Sequence, residues 1–141
     1  MKITSLLFFI ILFSSCNKSE FREIRFGNTL IENQTFSQNK RLCKAVEGTL
    51  QGDKNALIIL INFNCGSASG CYDLGSVITQ IVYKIGEDDF LKMVKKLNPE
   101  QKSNLRGFID VGLEYGYRLN GKSKNKVIKD QFPKIDKELP K

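Results

Sequence analysis

Residues 73–86 read DLGSVITQIVYKIG, and this stretch decides the fold. Its large aliphatic side chains recur at steps of three and four residues, the spacing that places side chains on one face of an α-helix. Gly86 closes the segment, and glycine is the residue most favoured just after a helix. The stretch therefore predicts a helix with one wide apolar face, formed by Leu74, Val77, Ile78, Ile81, Val82 and Ile85.

Helical signals continue on both sides of this segment. Apolar residues follow a helical period after Ser37. Residues 56–61 are all apolar, which indicates a buried segment; its composition would also suit a strand, and the neighbouring helices favour a central helix. Residues 87–89 are acidic and suit a helix N-terminus, and Asn98-Pro99 is a typical helix start. With a last short helix at 127–132, the sequence predicts an all-α domain of five to six helices over residues 37–132.

The flanks of this domain look different. Phe21, Ile24 and Phe26 alternate weakly with polar residues, which indicates extended chain or a short edge strand. We therefore expect residues 16–36 to be a tether, and residues 133–141 to be a polar, basic tail.

Two arrangements of the helices remain open. Gly52, Gly86 and Gly121 recur about every 35 residues, a period that points to stacked helical hairpins. Even spacing of turns in a compact helical bundle would give the same pattern. Gly112 and Gly116, one helical turn apart, predict a close approach between two helices.

The N-terminus carries an export signal. Lys2 is followed by the apolar run 3–13 and by Ser14-Ser15-Cys16. A charged start, a short apolar run and small residues are typical of a secretory signal peptide. The run of about eleven residues is too short for a bilayer core that needs roughly 20.

This segment resembles the signal of bacterial lipoproteins, in which a peptidase cuts before a cysteine that carries a lipid. The resemblance covers residues 1–16 alone. It implies that residues 1–15 are removed, that Cys16 is lipidated and that the protein is held in the cell envelope. Asn17, rather than Asp, follows the cysteine, which implies delivery to the outer membrane.

The formal net charge is +7, and the excess lies at the C-terminal end. Residues 118–141 hold eight basic and three acidic side chains. Acidic lipid head groups, polyanionic glycans or an acidic protein could match this charge, and a solvated surface is the plainer interpretation. A nucleic-acid partner is not expected, because the signal directs the protein out of the cytoplasm.

The internal cysteines Cys65 and Cys71 enclose a short loop of small residues, GSASG. We expect a disulfide there, because an envelope compartment is oxidising. In the chain-entropy model such a loop would contribute roughly 2–3 kcal/mol. Two reduced cysteines are the alternative. Cys43 lies on an apolar helix face and reads as a buried thiol, with pairing to Cys65 or Cys71 left open.

No catalytic set, metal site or cofactor is predicted. The chain has no histidine, so the commonest general base and zinc ligand are missing. Asp110 and Glu114, one turn apart, are the only weak candidates for paired carboxylates acting on a glycan. Tyr72, Tyr83, Tyr115 and Tyr117 could line a binding surface.

The most favoured function is therefore a membrane-anchored module that binds a protein and is not an enzyme. The alternatives are an immunity-type inhibitor of a toxin and, less favoured, an enzyme acting on cell-wall glycan.

Overall fold

The computed structural model describes residues 19–116 and 126–141. The residues of the expected signal peptide, Cys16, Tyr117 and Gly121 lie outside these ranges. The elements in chain order are β1 (Glu20–Phe21), β2 (Ile24–Arg25), α1 (Asn28–Glu32), α2 (Phe36–Leu50), α3 (Lys54–Ile61), α4 (Ala68–Ile85), α5 (Glu87–Val94), α6 (Pro99–Tyr115), α7 (Ile128–Gln131) and α8 (Pro133–Glu138). The predicted all-α class is confirmed, with one two-stranded antiparallel hairpin added.

Local sequence explains where the main helices begin. Thr35 and Asn98 each form a reciprocal capping box, with Gln38 at the start of α2 and Gln101 at the start of α6. Asp53 accepts a hydrogen bond from the backbone N–H of Asn55 at the start of α3. These bonds satisfy N–H groups that have no partner inside a helix, so each short polar residue fixes a helix start.

The helix α4 is the centre of the fold. It packs against α1, α2, α5 and α6, and its predicted apolar face is fully buried at Leu74, Val77, Ile78, Ile81 and Val82. In a stacked array each hairpin would contact only its neighbours. Because α4 contacts four other helices, the helices form a compact bundle rather than a stacked array.

The crossing of α4 and α6 is the most extensive helix contact in the domain. It depends on two glycines that meet at the crossing point. A Cβ atom built on Gly112 would come within 3.0 Å of the Gly75 carbonyl oxygen and of Thr79 Oγ1, and one built on Gly75 would come within 3.0 Å of the Phe108 carbonyl. The close approach predicted at Gly112 is thus present, with Gly75 as its counterpart.

The expected tether at 16–36 needs correction over its described part. Ile24, Phe26 and Leu30 are 1%, 4% and 0% exposed and belong to the core. The strand signal was right, but the strands dock on α4 rather than lying free. The Gln80 side chain holds β2 there: its Oε1 accepts from the Arg25 N–H at 2.9 Å and its Nε2 donates to the Arg25 carbonyl at 2.9 Å.

The start of α1 is stabilised by a residue distant in sequence. Its flanking residue Gly27 supplies no side-chain cap, and Asp73 in the second turn of α4 accepts the Leu30 N–H at 3.0 Å. The Asp73 carboxylate occupies the space that a Cβ on Gly27 would need. This long-range cap makes residues 27–32 part of the folded domain.

The expected polar tail at 133–141 also needs correction. Residues 133–138 form α8, in which Ile135 is fully buried, and Leu139 beyond it is 3% exposed. Glu87 on α5 accepts the backbone N–H groups of Lys134 and Ile135 at 2.6 and 3.0 Å. Among the charged residues of this segment, Ile135 and Leu139 form an apolar face that packs against the bundle.

The basic character of this end is reduced by ion pairs. Lys134 bonds to Asp88 at 2.6 Å, Asp136 bonds to Arg106 at 3.0 Å, and Glu138 bonds to Lys102. These contacts join α8 to α5 and α6. In the described part of residues 118–141, the charges therefore serve in part to dock the last helix.

Candidate protein-binding groove

A groove of about 420 Å³ opens between α3, α4 and α6. We call it the tyrosine groove. Its lining residues are uncharged and mostly apolar or aromatic: Ile61, Cys71, Tyr72, Ser103, Asn104, Gly107, Phe108 and Val111. About a quarter of the whole chain is charged (26%), so a stretch of surface without formal charge differs from the rest of the molecule.

Two exposed tyrosines stack at this region. Tyr72 on α4 and Tyr115 on the last turn of α6 stack with ring centroids 5.0 Å apart and an interplanar angle of 16°. They are 42% and 59% exposed, which is high for aromatic side chains of this size. Offset stacking makes each ring hold the other in place, so the pair presents a rigid apolar surface with polar hydroxyl groups.

Glu114 contributes to the chemistry of this pair. Its carboxylate accepts a hydrogen bond from the Tyr115 side chain, which raises the pKa of the Tyr115 phenol above its ordinary value of 10.0. The hydroxyl therefore stays protonated at physiological pH and remains a donor.

The Cys65–Cys71 disulfide positions one wall of the groove. The two Cα atoms are 5.0 Å apart, within the usual range for a bridge, and Cys71 lies next to Tyr72. The expected disulfide is present. Ser67 accepts the Gly70 N–H at 3.1 Å and so caps α4 within the bridged loop. Bridge and cap together fix the first turn of α4, directly before Tyr72, which contacts Tyr115 on α6.

The bridged loop is also tied to the chain between α1 and α2. The Asn33 amide donates to Ser67 Oγ at 3.1 Å, and the Gln34 amide donates to the Asn64 carbonyl at 2.8 Å. The segment that flanks the groove is thus held from two sides. A binding surface built on it needs little ordering when a partner arrives.

The structure excludes pairing of Cys43 with Cys65 or Cys71, because those two are bonded to each other. Cys43 is 4% exposed and lies in the core. Among the described residues there is no free cysteine, so the interpretation of Cys43 as a free buried thiol is wrong.

The other candidates from sequence lie apart from the groove lining. Asp110 pairs with Arg106 at 3.6 Å, and Arg106 also binds Asp136. Burial raises the pKa of the Asp110 carboxyl, against the opposing effect of Arg106. Tyr83 donates to Gln131 at 2.6 Å on a different face, with the Lys126 ammonium 5.4 Å from its ring centre.

Sequence reasoning named Tyr72 and Tyr115 but did not bring them together. They are distant along the chain, and neither lies in a motif. The glycine spacing on α6 was the one signal that pointed to a close neighbour for this helix, and that neighbour is α4.

No family model matches the chain, and neither the curated proteins nor the solved structures contain a match to it. Within residues 19–116 and 126–141, no helix has the length and apolar character needed to cross a membrane. In the same ranges, no three His, Cys, Asp or Glu side chains are grouped as a metal site would require.

Proposed function

We propose that this protein is a lipid-anchored lipoprotein of the cell envelope that binds another protein through the tyrosine groove. The observation that supports binding is the exposed, stacked Tyr72–Tyr115 pair beside an uncharged groove. Tyrosine is enriched among the residues that dominate protein–protein binding energy, because it buries much apolar area and keeps a hydroxyl for hydrogen bonding.

The anchor is supported by the resemblance of residues 1–16 to a lipoprotein signal. The folded body begins close to it: Ser19 already accepts the Phe26 N–H at 2.9 Å beside the hairpin. The three residues from Cys16 to Ser19 can span at most about 10 Å. A lipid on Cys16 would therefore hold the domain directly at the membrane surface.

Intact mass and peptide mapping of the membrane-extracted protein test the anchor. We expect a chain that starts at Cys16 and carries the mass of a lipid on that residue. A thioether to lipid uses the Cys16 sulfur, so lipidation and a Cys16–Cys43 disulfide exclude each other, and the state of Cys43, which is not free in the structure, separates the two. Finding Cys16 bare, or bridged to Cys43, would remove the anchor from the proposal.

Co-purification tests the groove. Gly107 lies on the groove surface, and a Cβ built there meets no atom within 4 Å, so Gly107→Arg fills the groove without disturbing the core. Asn55→Arg adds the same side chain to an exposed position of α3 outside the groove lining. Partners are captured from detergent-solubilised membranes and identified by mass spectrometry.

We expect one protein that is recovered with the wild type and with Asn55→Arg and lost with Gly107→Arg. Equal recovery with both variants would show that the partner binds elsewhere. Recovery of no specific protein by the lipidated wild type would contradict the binding function itself.

A further inference from the structure

We infer that the exposed face of α2 contacts an anionic membrane surface and sets the orientation of the domain on it. Three basic residues, Lys40, Arg41 and Lys44, are exposed on α2. At 3.6 residues per turn they fall within about 100° of one another around the helix axis. Positive charge is therefore concentrated on the side of α2 that faces away from the core.

An exposed aromatic residue lies at the end of this basic face. Phe36, the first residue of α2, is 66% exposed, the highest value among the large exposed hydrophobic side chains described. Basic side chains with a neighbouring phenylalanine are the combination that binds the interface of a bilayer, since lysine and arginine attract anionic head groups while the ring enters the apolar boundary.

The acidic residues near this face reduce its charge only in part. Glu47, on the same side of α2, binds Arg22 at 2.6 Å, so its charge is compensated from the hairpin. Glu32 lies beside Phe36 in a shallow cavity and leaves one negative charge at the edge. The face as a whole stays positive and complements an anionic surface.

The N-terminal hairpin, which packs on α4, also contacts α2 through one ion pair. Arg22 belongs to the turn of the N-terminal hairpin and bonds to α2 through Glu47. Cys16 precedes this hairpin by few residues, so the proposed lipid would enter the membrane near the same helix. The proposed anchor serves here only to place the membrane, and the basic face makes its own contribution to binding.

Vesicle binding without the lipid separates this inference from the anchor. The chain of residues 16–141, produced without the signal and therefore not lipidated, includes every described residue, keeps all four cysteines and lacks both the lipid and the apolar signal. It is mixed with vesicles of phosphatidylcholine alone, or with equal parts of phosphatidylcholine and phosphatidylglycerol. We expect binding to the second kind only, weakened by added salt.

A triple variant tests the face. Replacing Lys40, Arg41 and Lys44 by serine should weaken binding about fivefold per residue and on the order of 100-fold in all, from about 1 kcal/mol for each basic side chain at an anionic surface. The matched control replaces the exposed residues Lys95, Lys96 and Lys129 and changes net charge by the same amount. An equal loss of vesicle binding in the two triple variants would overturn the inference, as would equal binding to vesicles with and without phosphatidylglycerol.

A fluorescence measurement tests the role of Phe36. The chain contains no tryptophan, so Phe36→Trp provides a single reporter, and Val127→Trp places the same reporter at another exposed apolar position, 44% exposed. We expect anionic vesicles to shift the emission of Phe36→Trp to the blue and to leave that of Val127→Trp unchanged. An unshifted Phe36→Trp spectrum in bound protein would contradict the orientation proposed here.

Discussion

Two glycines on α6 should respond in opposite directions to the same substitution. In the middle of a helix, alanine is more favourable than glycine by about 1 kcal/mol. Gly107 is exposed, and a Cβ built there meets nothing within 4 Å. Gly107→Ala should therefore stabilise the domain by about 1 kcal/mol.

At Gly112 the same methyl group has no space. It would come within 3.0 Å of the Gly75 carbonyl oxygen and of Thr79 Oγ1. The first is backbone and moves only if α4 and α6 separate. The second already donates to the Gly75 carbonyl at 2.8 Å, so its rotation away from the new methyl group would break a buried hydrogen bond. Overpacking of this kind costs about 1–3 kcal/mol, and rigid backbone on both sides places it near the upper end.

Subtracting the gain in helix propensity leaves Gly112→Ala less stable than the wild type by about 2 kcal/mol. The two variants should then differ by about 3 kcal/mol, or roughly 10 °C in melting temperature for a domain of this size. Urea unfolding and thermal melts followed by circular dichroism measure both quantities. Equal stability of Gly107→Ala and Gly112→Ala would refute the argument that the α4–α6 crossing depends on the missing side chain.

Three further perturbations have defined outcomes. Gln80→Leu keeps the bulk of the side chain but leaves the Arg25 backbone groups without their partners, so unfolding in urea should become easier by about 2 kcal/mol; an unchanged midpoint would show that water replaces these bonds. Ending the chain before Pro133 removes the buried Ile135 and Leu139. The free energy of unfolding should fall by at least about 4 kcal/mol, and most of the helical circular dichroism should be lost at growth temperature; a cooperative melt like that of the full chain would show that α8 is not needed for folding. The hydrogen bond from Lys102 lowers the pKa of Glu138 below its ordinary value of 4.5, so the stabilising effect of this bond is present above pH 4.5 and is lost as the pH falls through the lowered pKa. The melting temperatures of the wild type and Glu138→Gln should therefore differ at neutral pH and converge in acid, and a difference that stays constant with pH would refute this.

The sequence by itself determined the helices of the core. Apolar periodicity and short polar caps act within one or two helical turns, so α2 to α6 could be predicted from residues 37–119 without knowledge of their neighbours. The Cys65–Cys71 bridge was equally local, because its two cysteines flank one short loop.

Only the tertiary structure decided what the flanks do and where the candidate site lies. Residues 20–33 have no helical period, and they join the core because Gln80 and Asp73 on α4 satisfy their backbone. The charged residues of α8 masked its apolar face in the sequence, and they are accommodated because α5 and α6 carry the opposite charges. The tyrosine groove exists because Gly75 and Gly112 let two helices meet and bring Tyr72 to Tyr115. These contacts join residues far apart in the chain, and local pattern carries no information about such pairs.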